Sequence, residues 1–259
     1  MSERALWRAV AMPSEHGGWG LTLEPVLLGM LVAPSLGGAA LGASAFLAFL
    51  VRTPLKLAIV DARRQRWLER SQLAARIAAV ELAALLSFTA LAVALSGWSW
   101  IIAAVIAAPL VTVELWFDVR SRGRRLAPEL CGAVGMAAVA AAIVLAAGRG
   151  GALAGGVWLV LAGRSVGAIP FVRVQIGRLR RGLEATTTSD VAQLVAVAIG
   201  AVAVVVDRRM AAGLGALAVL AVLQWLWVRR SSPPPKVLGM RLMALGLGLV
   251  LVTAAGVWA

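Results

Sequence analysis

Residues 98–147 read WSWIIAAVIAAPLVTVELWFDVRSRGRRLAPELCGAVGMAAVAAAIVLAA, which is two apolar runs joined by a short connection with four arginines. Each run has the roughly 20 mainly apolar residues that an α-helix needs to cross the hydrocarbon core of a bilayer. Arginine and lysine close to the ends of membrane helices hold a connection in the cytoplasm. This stretch therefore predicts two membrane helices joined on the cytoplasmic side.

The same alternation extends along the rest of the chain. Nearly neutral connections near residues 34–38, 96–99 and 148–151 alternate with arginine-rich ones, which lie at 4–8, 63–70, 120–125, 173–181 and 229–236. The pattern predicts a multi-pass protein of the inner membrane with a cytoplasmic N-terminus. The segment Asp207-Arg208-Arg209 is an exception, because it should face outward, and its aspartate offsets part of the charge.

Nine apolar segments are long enough to be membrane helices, so the expected fold class is an all-α polytopic helix bundle. They lie at about 19–34, 37–58, 73–95, 98–117, 128–147, 151–172, 188–206, 211–228 and 237–258. Residues 1–18 form a cytoplasmic segment, and 19–259 form one membrane domain whose C-terminus lies outside. The first span is short and contains Glu24-Pro25, which predicts a kink or a position deeper in the protein.

The composition agrees with a membrane location. Hydrophobic residues make up 61% of the chain and charged residues 14%, whereas soluble proteins contain about 25% charged residues. The net charge of +13 is confined to short loops, so its expected partner is the lipid bilayer and not nucleic acid. The single cysteine, Cys131, excludes an intrachain disulfide. Nothing in the composition gives the oligomeric state.

Charged residues inside the spans are candidates for function, because a charge in the bilayer costs several kcal/mol. Glu114 and Asp118 lie four residues apart, so both should share one helix face. Glu81 also lies within a span. The other candidates are Arg52, Lys56, Asp61, Arg164, Arg173 and Glu24. An alternative for those nearest the span ends is that they extend to the interface and have no further role.

Residues 14–20 (SEHGGWG) are a distinctive short stretch, since they combine an acid, the only histidine and three glycines. One interpretation is a helix start with a flexible approach. The other is that Glu15 and His16 form a polar site with Glu24, in which the imidazole titrates near neutrality.

Four stretches of the sequence resemble a known family. Residues 12–20 (MPSEHGGWG) and 23–29 (LEPVLLG) look like the start of the bacterial YwiC-like membrane proteins. Residues 52–56 (RTPLK) and 167–173 (GAIPFVR) are similar to polar stretches of that family. The likeness extends over most of the chain, and the family name supplies no activity.

A more distant resemblance is to the UbiA intramembrane prenyltransferases. Residues 116–130 (WFDVRSRGRRLAPEL) resemble their second acidic motif, and 61–70 occupies the place of the first. The resemblance implies a UbiA-like arrangement with magnesium held by Asp61, Glu114 and Asp118, and transfer of an isoprenoid from its diphosphate. Arginine replaces most of the expected acids here, which puts both the magnesium and the transfer reaction in doubt.

Arginine binds phosphate through two parallel hydrogen bonds and needs no metal to do so. We therefore expect a site formed by cationic side chains and open to the cytoplasm. It would bind a lipid or isoprenoid phosphate, with or without transferase activity. Its predicted members are Arg52, Lys56, Arg164, Arg173, Glu15, His16 and Glu24, with Asp61, Glu114 and Asp118 as acids for a metal. The alternatives are a transporter or exporter, and a non-enzymatic assembly partner of a membrane enzyme.

Overall fold

The computed structural model describes residues 7, 10–12, 16–66, 68–120, 125–182 and 185–259, and for residues 16–18 and 119 the backbone alone. In this part of the chain every regular element is helical, which confirms the all-α prediction. Nine α-helices have defined bounds: α1 His16–Val32, α2 Leu36–Arg63, α3 Glu69–Ser96, α4 Ile101–Val119, α5 Leu126–Ala146, α6 Gly151–Arg181, α7 Thr187–Val206, α8 Ala211–Trp227 and α9 Pro235–Trp258. A 3-10 turn, Arg208–Met210, precedes α8.

The helix lengths and compositions agree with the nine predicted spans. Among the described residues, eight helices are long and apolar enough to cross a membrane, and a shorter apolar one covers Trp19–Val32. Helix α6 has 31 residues and continues well past its apolar part into the arginines that end at Arg181. The protein is therefore a multi-pass membrane protein.

Successive helices other than α3 and α4 pack against each other, and their short connections make them antiparallel. In the α2–α3 hairpin, Ser71 bonds to Asp61 near one end, and Thr89 bonds to Ser44 further along. The described helix ends that flank the arginine-rich connections consequently lie at one end of the bundle, which we name the basic end. The opposite end, the neutral end, carries the connections near residues 34, 97, 149 and 208.

Helix α1 lies in the centre of the bundle. It packs on α5, α9 and α2, and its Leu28 is completely buried. Close packing depends on glycine, because a Cβ at Gly29 would lie 3.2 Å from the Ala140 carbonyl oxygen and closer still to the Ile143 side chain. The short first span is thus set deeper in the protein, as its Glu24-Pro25 sequence predicted.

Two hairpins flank this centre. Helix α3 packs on α2, and α4 packs on α5, but α3 and α4 have almost no contact with each other although they are joined by the short connection Gly97–Trp100. Their outer faces carry large exposed apolar side chains, such as Leu86, Leu95, Val105 and Ile106. Such faces are expected where a helix meets lipid.

The remaining helices, α6 to α9, form the other side of the bundle and close against α1. Helix α9 runs parallel to α1, with Gly246 beside Glu24 and Trp258 donating to the Leu31 carbonyl at 2.9 Å. Helix α6 ends at Gly182, whose φ of +64° places it in the left-handed region that favours glycine. The basic ends of α6, α8 and α9 lie close together.

Candidate functional site

Four of the predicted charged residues meet at the basic end, between α2 and α4. The Arg52 guanidinium lies 2.6 Å from Glu114 Oε1 and 3.4 Å from Asp118 Oδ2. The Lys56 Nζ lies 2.6 Å from Asp118 Oδ1. Glu114 and Asp118 share one helix face, as their spacing predicted. We name these four residues the charge cluster.

A glycine of the neighbouring helix makes room for the charge cluster. A Cβ at Gly132 of α5 would overlap the Glu114 carboxylate. Glu114 is therefore seated against the backbone of α5. The cluster joins α2 to α4, two helices that otherwise have almost no contact with each other.

Asp61 has different partners. The buried Asp61 carboxylate accepts a 2.6 Å hydrogen bond from the Ser71 hydroxyl and two of 3.3 Å from Arg70. No three histidine, cysteine or acidic side chains are grouped as a metal site in the part of the chain that the structure describes. Asp61 therefore has separate partners from Glu114 and Asp118, and the magnesium binding that the UbiA resemblance implies for these acids stays a prediction.

Glu24 and Arg164 form a separate pair in the core. Both are buried, with 4% and 6% of their surface exposed. Arg164 Nη2 lies 3.4 Å from Glu24 Oε1 and donates a shorter bond of 2.8 Å to the Leu242 carbonyl. Glu24 lies against Gly246, where any side chain would overlap its carboxylate. The two deep charges of opposite sign thus lie beside each other in the core.

Arg173 donates to Glu129 at 2.8 Å, between α6 and the first turn of α5. The predicted set therefore divides into four groups, of which the charge cluster is the largest. Glu15 and the His16 side chain lie outside the described residues. The expectation that all the predicted residues line one cavity does not hold for those that are described, and their role in binding a ligand stays a prediction.

A large pocket opens at the basic end between α6, α8 and α9. Its volume is about 550 Å³. It is lined by Phe171, Gln175, Trp227, Arg230, Ser231, Pro233, Leu238 and Arg241. We name it the basic pocket, because its two arginines are its only charged lining residues among those described.

Hydrogen bonds fix the wall of the basic pocket. Gln175 donates to the Trp227 carbonyl at 3.0 Å and accepts from the Ser232 hydroxyl. Arg178 donates to the Arg230 carbonyl at 3.4 Å. The connection between α8 and α9, which contains Ser231 to Pro234, is thereby tied to the end of α6.

The two arginines of the pocket differ from the other cations in their partners. In the described part of the chain, neither Arg230 nor Arg241 forms an ion pair with a carboxylate. Arg241 instead lies over Trp227, with its guanidinium 5.7 Å from the ring centre. The adjacent Arg229 is paired with Asp190 at 3.0 Å. Within the described ranges, no carboxylate therefore compensates the positive charge of the pocket.

The sequence interpretation missed this pocket. Arg230 belongs to an arginine-rich connection, which indicated only the topology. Arg241 lies within an apolar run near the start of the last span and was not among the predicted site residues. Arg241 itself could have indicated the pocket, because it is a charged residue inside a predicted span. Arg52 was selected as a candidate for that same reason.

Comparison with known proteins gives one match. The family model for YwiC-like protein matches residues 12–144, which is just over half of the chain and covers α1 to α5. No curated protein and no solved structure matches the chain. The remote likeness to UbiA stays a prediction. The chain belongs to the YwiC-like family.

Proposed function

We propose that this membrane protein binds the phosphate-bearing head of a lipid or isoprenoid in the basic pocket. The observation that carries the proposal is the uncompensated charge of Arg230 and Arg241 beside an apolar wall, in a cavity of about 550 Å³. Pockets for small ligands range from about 300 to 1,000 Å³, so the size suits a headgroup with the first part of its chain.

The polar part of the pocket matches phosphate chemistry. Guanidinium groups bind phosphate oxygens through paired hydrogen bonds, and two arginines on separate elements can hold one phosphate from two sides. Ser231 adds a hydroxyl to the same lining. An anion entering here has no carboxylate of the described chain to displace, so the full attraction is available to the ligand.

The apolar part of the pocket matches a hydrocarbon chain. Phe171, Trp227 and Leu238 form its wall, and all three belong to helices that continue into the membrane. A ligand with a phosphate at one end and an apolar chain at the other would satisfy both parts. The arginine bias of the connections supports a cytoplasmic position for the basic end, and hence for the pocket mouth.

The charge cluster is a weaker candidate for the same ligand. Arg52 and Lys56 are within 2.6 Å of carboxylate oxygens. A phosphate would have to break these pairs and would then lie beside Glu114 and Asp118, which repel it. The cluster therefore suits a structural connection between hairpins better than anion binding.

Native mass spectrometry of the purified full chain can test the proposal. The ligands are phosphatidic acid and a prenyl phosphate, their neutral counterparts diacylglycerol and prenol, and inorganic phosphate. Phosphate lipids should bind at least about tenfold tighter than the neutral lipids, because a hydrogen bond to a charged group contributes about 1.5–3 kcal/mol. Binding of inorganic phosphate alone, with no preference for lipid, would point to a soluble ligand instead.

The matched variants are Arg230→Gln with Arg241→Gln in the pocket, and Arg208→Gln on the exposed neutral end. The pocket variant should weaken binding of phosphate lipids by about 100-fold, since two charge-assisted contacts are lost. Arg208→Gln should leave it unchanged. Equal affinity for phosphate and neutral lipids, or equal losses in the two variants, would contradict the proposal.

A further inference from the structure

Arg164 is buried in the middle of the bundle, yet only some of its N–H donors have an acceptor among the described residues. Both of its recorded hydrogen bonds come from Nη2, and the buried Nε has no acceptor among the described residues. The shorter bond, 2.8 Å, goes to a neutral carbonyl, whereas the Glu24 carboxylate is 3.4 Å away. A buried donor without an acceptor costs about 1–3 kcal/mol, so such a group calls for a further partner.

A small cavity lies beside this guanidinium, between α6, α7 and α8. Its lining consists of Gly163, Arg164, Gly167, Gln193, Ala196, Leu217, Leu220 and Gln224. The cavity volume of about 10 Å³ is close to the space that one water molecule or one small ion needs. Two glycines keep the space open, since a Cβ at Gly167 would lie 3.0 Å from the Gln193 side-chain oxygen.

Two buried glutamines face the same cavity. Gln193 donates to the Gly167 carbonyl at 3.0 Å and to the Gln224 side-chain oxygen at 3.1 Å. Because Gln224 accepts through its oxygen, its amide nitrogen is left as a donor. The lining therefore contains the N–H groups of Arg164 and Gln224, with the Gln193 side-chain oxygen as an acceptor beside them, and the guanidinium makes donors the larger group. A ligand that only accepts hydrogen bonds suits such a lining best.

We propose that this cavity binds a small inorganic anion of about the size of chloride. The anion would accept from the Arg164 guanidinium and from the Gln224 amide. The long contact to Glu24 leaves part of the guanidinium charge uncompensated, which favours an anion beside Arg164. The site goes beyond the proposed lipid binding and does not depend on it.

The anion site and the basic pocket lie along one face of α6. Gly163, Gly167, Phe171 and Gln175 recur every four residues, so they form a single line on this helix. The first two line the small cavity, and the last two line the basic pocket. Phe171, which is completely buried, lies between Gly167 and Gln175 on this line.

Thermal unfolding of the purified full chain in detergent tests the proposal. Sodium chloride and bromide are compared at equal ionic strength with sodium gluconate, whose anion is too large for the cavity. Chloride and bromide should each raise Tm by about 2–4 °C at a few times their dissociation constants. A bromide peak beside Arg164 in anomalous diffraction would locate the ion. Equal Tm in the three salts, with only water at that position, would overturn the proposal.

Variants assign the effect to this cavity. Gln193→Leu with Gln224→Leu removes the amides, retains the Glu24–Arg164 pair and should abolish the halide shift. Gly167→Ala narrows the space in a milder way and should reduce the shift if the double variant does not fold. The control is Ser44→Ala, which changes a buried polar residue at the α2–α3 contact and should leave the halide-induced rise in Tm unchanged. The double variant Arg230→Gln with Arg241→Gln should also show the halide-induced rise in Tm. Loss of that rise in this variant would assign halide binding to the basic pocket and overturn the proposal.

Discussion

The charge cluster and the basic pocket both lie at the basic end of the bundle, yet their cations have opposite surroundings. In the charge cluster, Arg52 and Lys56 face carboxylates at 2.6 Å. In the basic pocket, Arg230 and Arg241 face an aromatic ring, an amide and hydroxyls. The difference teaches that the presence of an arginine in a membrane protein says little about ligand binding until its partners are known.

The two regions also differ in their relation to the family. The YwiC-like match ends at residue 144, so it includes the whole charge cluster and none of the residues that line the basic pocket. The charge cluster holds two hairpins together, whereas the pocket residues lie on helices that follow. If this division is correct, changes to paired charges should alter stability, and changes to unpaired ones should alter binding.

The largest effect is expected at the buried pair. Arg164→Met leaves Glu24 as an uncompensated buried charge, and it should lower the free energy of unfolding by about 3–5 kcal/mol. Adding Glu24→Gln should recover most of this loss, because no charge then remains. Denaturant unfolding of the three proteins checks the prediction. An equal loss in the single and the double variant would show that packing, and not charge, is responsible.

A smaller effect is expected where α5 meets the charge cluster. Gly132→Ala places a methyl group on the Glu114 carboxylate, so it should destabilise the protein by about 1–3 kcal/mol and loosen the Arg52–Glu114 contact. Gly215→Ala is the matched control, because nothing lies within 4 Å of a Cβ there. It should be neutral or stabilise α8 by up to about 1 kcal/mol. Similar unfolding free energies for the two variants would show that the cluster is not tightly packed.

The smallest effect is expected at the neutral end, where Asp207 is paired with Arg209. Hydrogen bonds from the Arg209 side chain hold the pKa of the Asp207 carboxyl below its usual range. A lowered pKa means that the pair contributes stability at neutral pH and loses it as the pH falls through the folded-state pKa, below the ordinary value of about 3.9. Asp207→Asn should therefore flatten Tm against pH in the acid range. An unchanged pH profile would exclude this contribution.

The sequence was sufficient to predict where the helices lie along the chain. It was not sufficient to predict which residues the charged side chains contact. The length and hydropathy of each segment predicted nine spans, and Glu24-Pro25 predicted the deep position of α1. The four-residue spacing of Glu114 and Asp118 predicted their common face, because that follows from helix geometry alone. Each of these conclusions depends on residues that are near one another along the chain.

Pairing across helices depends on which elements pack together, which local patterns do not contain. Arg173 was predicted as a site residue, but its partner Glu129 belongs to another helix and was considered only as part of the 116–130 motif. The basic pocket requires three helix ends and a proline-rich connection to meet. Its residues could be identified only once the order of packing was known.

The near absence of contact between α3 and α4 has a consequence for access. Their two hairpins are held together by the packing of α2 on α5 and by the bridge from Arg52 to Glu114. Acyl chains of the surrounding bilayer can lie between two helices that do not pack on each other. The α3–α4 side is therefore the one where least packing opposes a parting of the hairpins.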